Sequence, residues 1–209
     1  KVLSLKAGTV EMWVCPVDWN GDEKKFHVFF DARGHGALYL YKFWTDGLTT
    51  LSTPDIKAGP LMSASAPIAD WKSGQWHHIA MTWSKDRQSL FIDGKRVADV
   101  RRPALPTRFD SEFMLGDNPW SESATGPRTS SSLIDRVRIY DEVLSDELIA
   151  AHAADDYEKS LPLSPKTAQI NTDFLRGPGL LTANVQVLGA DHNAQTNAIF
   201  SIRQTGKNV

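Results

Sequence analysis

The stretch SSLIDRVRIYDEVLSDELI, Ser131 to Ile149, decides how the rest of the chain is read. Residues 133–140 alternate as a strand does: Leu133, Val137 and Ile139 share one face, while Arg136, Arg138 and Tyr140 take the other. Asp135 is the exception, a carboxylate assigned by this spacing to the apolar face, where an ionised acid is costly without a partner. Ser145 reads as a helix N-cap, and Asp146 and Glu147 fill the first turn, where the helix dipole favours acids. A strand, a turn and a short helix close a unit here.

Upstream, the same alternation recurs in short pieces. Thr9–Cys15 places Val10, Met12 and Val14 on one face and Glu11 and Trp13 on the other, and Pro16 ends it. Phe26, Val28 and Phe30 predict a second strand, followed by a tight turn over residues 31–36. Leu38–Trp44 is apolar at both parities, which predicts a strand covered on both sides. Residues 52–70 are rich in Ser, Pro, Ala and Gly and read as a looser region with short edge strands. Trp76–Trp83 sets His77, Ile79, Met81 and Trp83 against Trp76, His78, Ala80 and Thr82. Asp93-Gly94 is a two-residue hairpin turn, and Phe113–Leu115 precedes a long polar loop over residues 116–132. Many short strands and one convincing helix predict an antiparallel sandwich.

Composition narrows the function. A net charge of −2 over 209 residues, with no basic run, gives no electrostatic footprint for nucleic acid. No apolar run is long enough for a bilayer-spanning helix, so membrane insertion is not expected. The single cysteine, Cys15, lies in an apolar strand and reads as a buried, inert thiol. Lys1 opens directly onto strand-like sequence, as in a piece of a larger protein. After Tyr157 a proline-containing linker, LPLSP, leads to two strand patterns, Leu180–Leu188 and Ala198–Arg203. Two strands cannot bury a core alone, so they either pair with the first domain or begin a second. The expected division is a domain over 1–158 and, over 159–209, a linker and β-hairpin that start a second β unit.

Three blocks, GTVEMWVCP, GQWHHIAMTWSKDRQSLFIDGKRV and LIDRVRIYDEVLSDELIAAH, occur in an order that resembles the laminin-G-like, concanavalin A-like jelly-roll family. The resemblance covers residues 1 to about 157. It implies an all-β, two-sheet antiparallel jelly roll with one short helix, in a non-catalytic, glycan-binding or adhesive module of a secreted or cell-surface protein. It also implies a structural calcium, with Asp135 at the family's I-D-x-V position as a ligand. Asp31, in an Asp-x-x-Gly-x-Gly turn, is the second metal candidate. The competing reading gives Asp135 backbone N–H donors or an arginine.

For glycan contact the candidates are Trp120, with Asp117, Asn118 and Arg128 in the same loop, and Trp44 beside a turn. Aromatic faces stack on sugar rings, while Asp, Asn and Arg bind hydroxyls. Trp19 and Trp71 also adjoin loops. His77 and His78 cannot chelate one zinc from a regular strand, because adjacent side chains point to opposite faces. No catalytic constellation can be named. The E-x-D-x-E strand of glycosidases with this fold is missing, and Asp110 with Glu112 is the nearest acid pair. The expectation is a binding module without enzyme activity, whose partners are a polysaccharide or glycan and neighbouring domains of the same chain. The alternative is a structural or adhesive spacer.

Overall fold

A computed structural model describes residues 3–44, 47–116 and 130–154, with side chains except at 110–112, and the backbone of 180–188 and 195–203. The strands are β1 (Ala7–Pro16), β2 (His27–Gly34), β3 (Ala37–Phe43), β4 (Gly47–Thr53), β5 (Met62–Pro67) and β6 (His77–Ser84). They continue with β7 (Arg87–Ile92), β8 (Lys95–Arg101), β9 (Phe109–Leu115) and β10 (Ser132–Tyr140). Helix α1 (Asp146–Ala154) follows, and then β11 (Leu180–Leu188) and β12 (Gln195–Arg203). One sheet has the order β5-β4-β3-β2-β9; the other runs β8-β7-β6-β1-β10 and is extended by β11 and β12. Pairing is antiparallel except between β10 and β11, which lie parallel over two residue pairs, Arg138 with Gln186 and Ile139 with Val187. The C-terminal hairpin meets β10 at these two pairs.

The main core lies between the sheets. Val10, Met12 and Val14 of β1 and Ile79, Met81 and Trp83 of β6 face Phe29, Phe30, Leu38, Leu40 and Leu48 of the other sheet. Burial of such side chains stabilises by about 1.5–3 kcal/mol each. Gly8 is required by this packing, since a Cβ there would sit 2.2 Å from the Trp83 ring. Cys15 is buried, and burial raises its thiol pKa, in keeping with an inert role.

Two β-bulges change which side chains face the core. In β10, Trp13 pairs with Asp135 but Glu11 pairs with Arg138, so Arg136 and Val137 together oppose Met12. Arg136 takes a left-handed φ of 48° to make this bulge. The extra residue resets the alternation: Ile134, Val137 and Ile139 pack on the core, whereas Leu133 and Asp135 lie on the outer face with Cys15 and Trp13. Asp135 therefore does not point into the core, which corrects the strict two-residue reading. Its Oδ1 accepts the Arg136 backbone N–H at 2.8 Å.

The second bulge is at Phe29. Val28 pairs with Tyr41 and Phe30 with Leu40, so Phe29 and Phe30 both enter the core while Val28 faces outward. The strand also continues through Asp31, Ala32 and Arg33, leaving only His35 and Gly36 for the turn expected over 31–36. The loose region resolves into the end of β4 and the edge strand β5.

Helix α1 begins as its sequence requires: Ser145 Oγ accepts the Leu148 N–H at 3.2 Å, and Asp146 pairs with Arg96. It lies on the outer face of the larger sheet, where Ile149 and Leu144 pack on Ala80, Phe91 and Tyr140.

Candidate functional site

The two outward sheet faces differ. Under α1, Glu11 is fully buried amid polar partners from three elements. Its Oε1 lies 3.2 Å from Arg138 Nη1 and 3.3 Å from the Tyr140 hydroxyl that donates to it, and its Oε2 lies 3.6 Å from His78 Nε2. His152 of α1 brings Nδ1 to 2.7 Å from Oε1, off hydrogen-bond alignment. Burial alone would raise the Glu11 carboxyl; His78, His152 and Arg138 outweigh it and leave the pKa below its ordinary value. Burial, and then the charge on Glu11, push the Tyr140 phenol above its ordinary range. This knot is closed by the helix, so it ties α1 to the sheet rather than meeting a ligand.

The outer face of the smaller sheet is not covered by α1, and among the described residues it forms a groove. Its alternate positions carry Tyr39, Tyr41 and Phe43 in a row along β3, with Phe26 and Val28 on one side and Leu51 on the other. Ala37, Thr53, Ile56 and Leu61 complete a groove of 260 Å³. The rings touch in sequence. Tyr39 and Tyr41 have centroids 6.0 Å apart, Tyr41 and Phe43 6.3 Å, Phe26 and Phe43 5.2 Å, and Phe26 and Trp44 6.2 Å. Phe43 is 47% exposed, Trp44 39%, Ile56 41% and Leu61 64%, four of the seven exposed large hydrophobics among the described residues. Exposed apolar side chains gathered in one concave patch mark a binding surface, whereas scattered ones carry no meaning.

At one end of the groove, Arg33 lies over the Tyr39 ring, 5.0 Å from its centroid, and its Nε donates to both oxygens of buried Asp31 at 3.2 Å. His35 and Asp55 lie 3.5 Å apart near Ile56. Asp31, a metal candidate from sequence, is thus the counter-ion of Arg33 in the smaller sheet, while Asp135 lies in the larger one with a backbone donor. Among the described residues, no group of three or more His, Cys, Asp or Glu side chains is placed to hold a metal.

The other candidates divide. Trp44 belongs to the aromatic patch. Asp117, Asn118, Trp120 and Arg128 lie outside the described residues, as do the side chains of Asp110 and Glu112. Trp19 and Trp71 are core: Trp19 Nε1 donates to the Ser130 and Ser131 carbonyls and Ser132 Oγ, each at 3.1 Å, and both rings are buried. His77 stacks on Trp71 at 4.0 Å and bonds Asp93, a structural role like that of His78. Sequence patterning does not single out Phe26, Tyr39, Tyr41 and Phe43 as site residues; for the three on β3 the signal is the apolar run of Leu38–Trp44, whose odd positions line the groove.

A family model of the concanavalin A-like lectin/glucanases superfamily matches residues 1–150, and the chain belongs to that family. Solved structures agree on the fold. The receptor binding domain of botulinum neurotoxin mosaic serotype C/D aligns with TM-score 0.57 at 13% identity, over 72% of this chain and 37% of that one. The binding domain of botulinum neurotoxin DC, in complex with SialylT, aligns with TM-score 0.54 at 12% identity, over 71% and 35%. The chain spans little more than a third of the toxin domains' length. No curated protein matches it in sequence. Among the described residues no helix is long and apolar enough to cross a membrane.

Proposed function

We propose that the domain is a non-catalytic carbohydrate-binding module of a secreted or cell-surface multidomain protein, and that its ligand surface is the aromatic groove of the smaller sheet. One observation carries this reading: the row Tyr39, Tyr41, Phe43, with Phe26 and Trp44, on the sheet face that α1 leaves uncovered. Aromatic faces take the C–H faces of pyranose rings, and phenolic hydroxyls reach sugar hydroxyls. Solved domains of this fold that bind other molecules, one of them in a complex with SialylT, support a binding role.

A glycan array with the whole chain tests this. Binding is expected, and Trp44→Ala should weaken it while leaving the melting temperature in place. If Trp120→Ala abolishes binding and Trp44→Ala does not, the loop and not the groove is the ligand surface. The second reading is an adhesive spacer that docks a protein or a neighbouring domain, favoured by the aliphatic rim of Ile56 and Leu61. An array without hits, with Trp44→Ala silent, selects it. A structural calcium is a separate proposal. Asp135 is the ligand that the family resemblance implies for it, with Asp31 the second candidate.

A further inference from the structure

We infer, resting on the glycan reading, that the groove takes an extended, uncharged glycan chain laid along β3, and not a terminal or acidic sugar. Two features of the groove point there. The first is its shape: Tyr39, Tyr41 and Phe43 occupy alternate positions of one strand, a row of about 13 Å with the usual rise per residue. That length suits several linked rings, whereas a single terminal sugar is held in a closed pit.

The second is charge. None of the ten residues that line the groove is an acid or a base with a formal charge. At its end the Arg33 charge is paired with Asp31, and Asp55 lies 3.5 Å from His35. A carboxylated or sulfated chain would lose its hydration here without gaining a counter-ion, a net cost.

Calorimetric titration of the whole chain tests this. The probes are the mono-, di- and hexasaccharides of the cello, chito, manno, xylo, malto and laminari series, with a heparin-derived hexasaccharide as the charged comparator. At least one neutral hexasaccharide should bind about tenfold or more tighter than its own disaccharide. Raising salt from about 0.05 to about 0.5 M should leave that affinity unchanged. Tyr41→Ala should weaken the hexasaccharide about tenfold. Should Tyr41→Ala unfold, Phe43→Ala, on a side chain 47% exposed, reads the same row. Two results overturn the inference but leave the glycan reading standing: a monosaccharide that binds as tightly as its hexasaccharide, or binding confined to heparin and lost in salt. If neither these probes nor the array gives any binding, the glycan reading falls and this inference with it.

Discussion

His27 is a buried imidazole stacked on Trp19, with ring centroids 4.1 Å apart and Lys42 as its partner across the β2–β3 ladder. Burial first, and then the Lys42 charge, hold its pKa down to about 4, from an ordinary 6.5. Between those values the unfolded chain takes up a proton that the folded chain refuses. The stability is therefore full above pH 6.5 and falls as the pH drops toward about 4. Melting curves across that window should show the loss, and His27→Phe should flatten it. Glu11, whose pKa is lowered from 4.5, contributes stability that is lost only as pH falls below that value, so the two effects separate on the pH axis. Glu11→Gln leaves Arg138 without its buried counter-charge and should cost about 3 kcal/mol in chemical denaturation. Residue-level reading of the sequence placed the histidines correctly as structural, because strand geometry alone forbids a shared ion. It erred on Trp19 and Trp71, since proximity to a loop does not reveal the Ser130–Ser132 segment that arrives from far along the chain to accept the Trp19 indole N–H.

At the scale of the element, the errors share one cause. Strand alternation is legible only until a bulge inserts a residue, and neither Phe29 nor Arg136 announces itself as one. Arg136 is neither Gly nor Asn, yet it sits at a φ of 48°. Arg136→Ile should therefore destabilise by about 2 kcal/mol, whereas Arg136→Gly should stay within about 1 kcal/mol of the parent in denaturant titration. A null result for isoleucine would mean the bulge is not held in solution. The helix, by contrast, was readable to its cap, because capping is a local interaction. Ser145→Ala should cost about 1 kcal/mol. The hairpin at Asp93-Gly94 was equally local: both residues have positive φ, 48° and 76°, and Ile92 pairs with Lys95 across them.

For the whole molecule, the strand inventory, the sandwich class and the closing helix could be read from the sequence, but the open face could not. Leu38–Phe43 is apolar at both parities, and whether its odd positions meet a second layer depends on where α1 docks, over one hundred residues later in the chain. The candidate loop around Trp120 drew attention because it concentrates polar chemistry. The groove is built from residues that pattern-reading assigns to a core. Calcium belongs to this scale too. Chelation should lower the melting temperature if Asp135 helps to hold an ion, and Asp135→Ala should then abolish that response. A wild type indifferent to chelator removes the ion from the account.

Helix α1 and the groove lie on opposite flanks of the sandwich. A ligand in the groove would therefore rest on the smaller sheet alone, with two layers about 10 Å apart between it and the Glu11 knot beneath the helix.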